Sequence, residues 1–205
     1  LNSTAYLYFD QDSISQMLWL DQVLKNNPNK WTVVTMHHPV FSPAGDRDSP
    51  SLRSGFKTLF DKYNVDVVLQ GHDHTYARGG NNLPSGATVI DSTGPVYAVS
   101  VSGPKMYLSN LLSWIDRAAV ETQLYQLVHV NKDTMTYEAY TTVGELYDKF
   151  QLIKTGNGRK KFIDQAPAGL KERIELTTAR LDKLNAAERA KWTERFNAYK
   201  ARKLV

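Results

Sequence analysis

Four of the five histidines in this 205-residue chain sit in two short stretches, each directly after an apolar run. His37-His38-Pro39 follows "WTVVTM", and Gly71-His72-Asp73-His74 follows "VDVVLQ". Imidazole nitrogens suit Zn, Mn and Fe, so three of them converging would make part of a coordination shell. The alternative is that these histidines only cap strand ends through hydrogen bonds. The chain has no cysteine, which excludes disulfides and thiolate metal sites.

Whether the histidines meet depends on the elements that carry them. The runs 31–36 and 65–70 are β-branched and read as buried strands. "AYLYF" (5–9) reads as a further strand. "DSISQMLWLDQVLKNNP" reads as a helix with Ser13 and Gln16 as a capping box and Ile14, Met17, Leu18 and Leu24 as its apolar face. Asn27-Pro28 ends it. Ser49 and Pro50 open a second helix carrying Leu52, Phe56, Leu59, Phe60 and Tyr63. This order predicts an α/β fold with a short parallel βαβαβ sheet. Ligands bind such sheets outside the carboxyl ends of the strands, where the histidines should converge. If 72–74 continues extended, His72 and His74 point to one side and Asp73 to the other, with Gly71 allowing the turn.

Farther along, "ATVID" (87–91), "VYAVSVS" (96–102), "TQLYQLVHV" (122–130) and "TMTYEAYTT" (134–142) alternate with period two and predict an antiparallel meander. "TGNGRKK", from 156, reads as a flexible basic linker. A helical hairpin should follow. Its first helix carries Leu170, Ile174, Leu181 and Leu184. Its second is capped by Asn185 and Glu188 and carries Trp192, Phe196 and Tyr199. The expected division is therefore 1–155 and 156–205.

At 41% hydrophobic and 22% charged residues, the chain can bury a sizeable core. No stretch approaches the roughly eighteen apolar residues of a membrane span. The net charge of +4 belongs to the tail, where thirteen Lys/Arg face six Asp/Glu from residue 156 onward. The body thus gives no electrostatic sign of nucleic-acid binding. The first residue is Leu and "LNSTAYLYFD" does not read as a signal peptide, so a preceding segment is expected, with an exported or periplasmic setting.

"VVTMHHPVFS" and "VLQGHDHTYAR" resemble the last two metal-binding blocks of calcineurin-like metallophosphoesterases, the superfamily that includes purple acid phosphatases. The similarity extends through "SQMLWLDQVL", "LFDKYNVDVVLQGHDH", "GPVYAVSVSG" and "GELYDKFQL", about residues 1 to 153. It implies that His37 is a metal ligand, that His72 shares that metal and that His74 binds a second. His38 stands at a position often Ser or Ala in purple acid phosphatases, which implies a supporting or substrate-facing role. Asp73 is the variable residue of GHxH, and Arg78 would orient the turn. Arg47 lies in the loop where such enzymes read substrate; it would either contact phosphate or stand solvated between Asp46 and Asp48. His129 has no partner pattern and is expected to be structural.

The resemblance implies two divalent or trivalent ions (Fe, Mn or Zn) and a phosphate-ester substrate. The family's Asp-x-His, Gly-Asp-x-x-Asp/Tyr and Gly-Asn-His-Asp/Glu blocks have no counterpart here. The expectation is the C-terminal half of a metallophosphoesterase α/β sandwich plus the hairpin, with the Asp and Asn ligands on a missing N-terminal half. Such a chain alone would bind one ion or none and be inactive. The alternative is a non-catalytic interaction module with a vestigial metal site, assembling through the hairpin. Trp192, Phe196 and Tyr199 are then either a buried helix face or a dimer interface.

Overall fold

The two β-branched runs do become neighbouring parallel strands, β1 (Val33–Met36) and β2 (Val67–Gln70), with Val33 opposite Val67 and Met36 opposite Gln70. The computed structural model describes residues 1–204 apart from Asp46, Asn82, Ser85 and Asn157. Asp46, expected as a flank of Arg47, and Asn157 of the basic stretch therefore lie outside the described residues.

Alternation along β2 explains why its run is apolar throughout. Val68 faces a helical layer with Val34, Met36, Phe56 and Phe60. Val67 faces a second sheet with Tyr137, Tyr147, Phe150 and Phe162. A strand covered on both faces loses the polar half of its pattern.

"AYLYF" is not a strand. Residues Ser3–Tyr8 form helix α1, in which the Asn2 side chain accepts from the Ala5 amide at 3.0 Å. Helix α2 (Asp10–Lys25) follows, so Ser13 lies inside a helix rather than at its cap. Gln16 instead reaches back to Asn2, accepting from its amide at 3.1 Å and donating to its carbonyl at 2.9 Å. The second helix is split: α3 (Pro50–Leu52) and α4 (Thr58–Lys62) flank a π-helical turn at Arg53–Lys57. At that turn the Tyr6 hydroxyl donates to the Ser51 carbonyl at 3.1 Å.

The remaining strands are β3 (Tyr76–Gly79), β4 (Val89–Ser92), β5 (Val96–Val99), β6 (Ile115–Ala119), β7 (Leu124–Asn131), β8 (Thr134–Thr141), β9 (Leu146–Gly156) and β10 (Arg159–Asp164). One sheet runs β1-β2-β5-β3-β6 and the other β4-β10-β9-β8-β7. The fold is α/β with two packed sheets, as expected, but the four-strand meander is redistributed. β5 pairs parallel to β2, while β7 to β10 form the antiparallel run.

The segment read as a basic linker contributes β10. Lys160 is 1% exposed and its ammonium donates to Asp66 at 3.0 Å and to the Val65 carbonyl at 2.9 Å. A buried lysine needs such a partner, and this one lies 94 residues away in sequence.

The hairpin is lopsided. Its first helix is only α5 (Thr178–Leu181), while α6 (Ala186–Leu204) is long. The expected capping box is present, with Asn185 and Glu188 exchanging amide–side-chain bonds of 2.9 Å each. Tyr199 packs with Leu111, Ile115 and Ile174, and Trp192 with Val120 and Leu176. Trp192 and Tyr199 of that aromatic face are buried within the chain and Phe196 is partly so. No helix among the described residues is long and apolar enough to cross a membrane.

Candidate metal centre

β1 and β2 end side by side, and the backbone joins them once more beyond the strands, where the Gly71 amide donates to the His37 carbonyl at 3.0 Å. Past that point His37, His38 and His72 come together. One ring nitrogen from each lies within 4.8 Å of the others, and no Asp or Glu belongs to the group among the described residues.

The turn that aims His72 is not extended. His72 takes φ +65°, a left-handed conformation uncommon for a side chain with a Cβ. Tight bonds flank it: the Asp73 amide donates to the Gly71 carbonyl at 2.7 Å, and the Thr75 amide to the Asp73 carbonyl at 2.8 Å. The strain falls on His72 rather than on Gly71, where the sequence suggested it. The expected alternation therefore fails, and His72 and His74 part company. His74 stacks on Tyr107 (centroids 4.5 Å apart, 19° between planes) and uses Nδ1 on the Lys105 carbonyl at 2.9 Å.

The hydrogen bonds fix protons. The Arg47 guanidinium can only donate, and it meets Nε2 of His72, so that nitrogen is the acceptor and Nδ1 carries the hydrogen. Nδ1 then donates to Nε2 of His37 at 2.9 Å. His74 donates from Nδ1 to a carbonyl, which leaves its Nε2 with a free lone pair. A backbone carbonyl on the far nitrogen is the arrangement that orients metal-binding imidazoles.

His38 is buried, and Ser3 of α1 holds it. Its backbone amide donates to Ser3 Oγ at 2.9 Å, and its Nδ1 is 3.0 Å from the same oxygen. Asp73 is fully buried behind the site. It accepts from Ser42 Oγ at 2.5 Å and from Arg47 Nε at 2.9 Å. Arg47 is thus paired with Asp73 while its side chain stays 35% exposed, and it also lies 4.9 Å above the Tyr107 ring.

The sequence did not single out Ser3, Ser42 or Tyr107 for this site. Only Ser42 lies close to a motif, four residues after His38. Arg78 does not orient the turn: it is fully buried between the sheets on Asp148 and Asp164. His129 is mostly exposed, 3.7 Å from Glu138.

Burial, with Arg47 and the neighbouring imidazoles, lowers the His72 pKa to about 4, and burial with His37 lowers that of His38. Between the ordinary imidazole value near 6.5 and about 4, the unfolded chain takes up these protons and the folded site does not. Stability without metal should therefore fall as pH drops through that window. His72→Gln should flatten the slope of melting temperature against pH between 6.5 and 5. An unchanged slope would show that His72 is as protonated in the folded chain as outside it.

In kind, the donors fit a cation. Two imidazole nitrogens 2.9 Å apart could share one ion at bond lengths of about 2.0–2.1 Å, once the His72 hydrogen shifts from Nδ1 to Nε2 and Arg47 yields its contact there. The set lacks negative charge, so it fits part of a shell and not a complete one.

Comparison with known proteins finds the calcineurin-like phosphoesterase family model matching residues 1–76, which contain both histidine stretches. A phosphoenolpyruvate phosphatase of Allium cepa is 33% identical over 99 residues, covering 40% of this chain and 20% of that protein. An acid phosphatase of Aspergillus ficuum is 32% identical over 87 residues, covering 39% and 14%. Probable purple acid phosphatase 20 of Arabidopsis thaliana is 31% identical over 100 residues, covering 45% and 22%. The chain thus spans between about a seventh and a fifth of the length of these relatives. Among solved structures, a purple acid phosphatase from yellow lupin (Lupinus luteus) seeds superposes with a TM-score of 0.55 at 19% identity, covering 66% of this chain and 28% of that one. At that identity the likeness concerns the fold.

Proposed function

We propose that this chain, whose residues 1–76 match the calcineurin-like phosphoesterase family model, supplies the HHP and GHDH segments of a metal-dependent phosphate ester hydrolase. The observation that carries this reading is the meeting of His37, His38 and His72 at the ends of two adjacent parallel strands.

His37 Nε2 and His72 Nδ1 would hold one ion, and His74 would face a second through Nε2. When bound, such a metal pair supplies Lewis acidity, neutralising an anionic ester and acidifying water. His38, braced by Ser3, would complete the first shell or face substrate. Arg47, tethered by Asp73 and set against His72, would meet a phosphoryl oxygen with a bidentate-capable donor. Iron, manganese and zinc all suit imidazole.

Three neutral imidazoles bring no negative charge to two cations. The carboxylate and asparagine donors would therefore come from polypeptide outside these 205 residues. The surface at the β1 edge suits such a partner. β1 is an edge strand, and Leu18, Trp19 and Val23 of α2 and Val33 of β1 are large apolar residues left exposed. Contiguous apolar surface of this kind usually marks an interface.

Co-refolding with a polypeptide that carries the Asp-x-His, Gly-Asp and Gly-Asn-His blocks should produce metal-dependent hydrolysis of p-nitrophenyl phosphate. The chain alone should show little or none. Trp19→Asp should suppress the complementation without lowering the chain's own melting temperature, because that side chain is 54% exposed. Equal turnover by the chain alone at equimolar metal would refute the need for outside carboxylates. No metal-dependent gain on co-refolding would refute the phosphoesterase reading.

A further inference from the structure

Among the described residues the two sheets end in four edge strands, β1 and β6 in one and β4 and β7 in the other. The chain's own tail covers β6. The Val120 amide, just past it, donates to the Arg173 carbonyl at 2.7 Å, and Arg202 donates to the Ile115 carbonyl at 3.1 Å. β1, whose edge is assigned above to outside polypeptide, has only four residues, and so has β4, which carries Asp91. β7 is different. It runs for eight residues, Leu124–Asn131, with no Lys, Arg, Asp, Glu, Pro or Gly. Those are the residues that usually guard an edge against pairing, by charge or by bending and breaking the strand.

Two hydrogen bonds show which way the β7 backbone faces. Leu124 and Thr141 stand opposite each other, yet the Leu124 amide donates to the Val101 carbonyl and the Thr141 amide to the Glu145 carbonyl, both at 2.9 Å. The even positions of β7 therefore turn their amides and carbonyls away from β8. Beyond Leu124 these are Gln126, Val128 and Val130, and no described strand lies beside them. Their side chains share the core face with Leu124, and Val130 is still 54% exposed. On the opposite face Tyr125 and Leu127 are 44% and 43% exposed.

We propose that this edge pairs with β7 of a second copy of the chain, antiparallel about a two-fold axis at Val128. A two-fold that keeps both core faces on one side of a continuous sheet pairs positions of equal parity. The segment carrying Val101 closes the edge beside Leu124, so an incoming strand must stop there. β7 itself meets that condition, because its chain turns away at Lys132, where φ is +52°. Val128 then stands opposite its own copy and Gln126 opposite Val130 of the partner subunit, with about six backbone bonds in all. No formal charge on the strand repels its copy. Glu121 precedes one end and Lys132 follows the other, so antiparallel alignment carries each toward its opposite sign, whereas parallel alignment would bring like charges together. Asp133, beside Lys132, is already paired with Lys30. Such a contact uses fewer residues than the roughly 20–30 a side of a stable interface, so the dimer is weak and reversible. It does not depend on the phosphoesterase reading.

Sedimentation velocity of the 205-residue chain should show a monomer–dimer equilibrium at concentrations on the order of 0.1 mM. Val128→Pro should weaken it at least about tenfold, because it removes an outward amide that β8 does not use. Val130→Lys sets like charges at the contact and should weaken it by a similar factor without lowering the melting temperature, since that position is 54% exposed. In hydrogen exchange the amides of Val128 and Val130 should slow as concentration rises, while those of Leu127 and His129, bonded to β8, stay slow throughout. Trp19→Asp should leave the equilibrium unchanged. A chain still monomeric at about 1 mM, a dimer indifferent to both β7 variants, or one dissolved by Trp19→Asp would overturn the proposal.

Discussion

His72→Ala is expected to weaken Zn²⁺ binding on the order of 100-fold or more, beyond the 10- to 100-fold typical of losing a residue that only orients a ligand. The starting affinity should be modest and the stoichiometry one ion per chain, because the neutral donors here can complete no shell. His72 is the residue common to the bond with His37 and the contact with Arg47, so its removal breaks the donor pair. Metal uptake should move the His72 hydrogen from Nδ1 to Nε2 and displace the Arg47 contact, with no net proton release near neutral pH, which calorimetry in buffers of different ionisation enthalpy would check. His129→Ala is the control; it lies in β7, away from the group, and should change affinity less than about twofold, the usual scale for an exposed position. Equal losses for His72→Ala and His129→Ala would show that the ion binds nonspecifically.

The second large effect concerns stability. Asp148→Asn should cost about 3 kcal/mol, the low end for breaking a buried ion pair, and lower the melting temperature by about 6–12 °C for a chain of this size. Arg78 and Asp148 are both fully buried and paired at 2.8 Å, and the Tyr76 hydroxyl donates to the same carboxylate at 2.6 Å. Burial alone would raise the Asp148 pKa, but Arg78's charge and hydrogen bonds outweigh it and hold the carboxyl below the usual range. Arg78 also sits 5.4 Å from the Phe162 ring centre, so an uncompensated guanidinium there would face an apolar wall. Asp164 remains as a second partner at 3.0 Å, which is why the low end of the range applies. A loss under about 1 kcal/mol would mean that Asp164 and water replace Asp148, and that this bridge does not hold the sheets together.

The contrast between these two clusters explains what the sequence could reveal. Strands β1 and β2 were legible because each is a short β-branched run, β2 covered on both faces and β1 on one, and the histidines mark where each ends. The parallel pairing follows from the intervening helical segment. By contrast, five aromatic-rich residues at 5–9 carry no decisive period. Their helix is set by Asn2 and by Gln16, which lies fourteen positions away. β10 was hidden because its basic residues look solvated until Asp66 is brought alongside Lys160. His72 and His74 were expected on one side by the alternation of an extended chain, and a single positive φ redirected them. Asp73, read as the variable position of its motif, proves to be the fully buried anchor of Arg47. Local patterns thus exposed the elements, whereas the partners that position side chains come from distant segments that no spacing reveals.

The account stands most directly on which imidazoles take the metal. Long-range ¹H–¹⁵N correlation of the histidine ring nitrogens during Zn²⁺ titration reads this residue by residue. Nε2 of His37 and Nδ1 of His72 should shift together toward coordinated values at one equivalent, with His129 unmoved. Ring nitrogens of His37 and His72 that stay at their metal-free positions while ion is bound would contradict it.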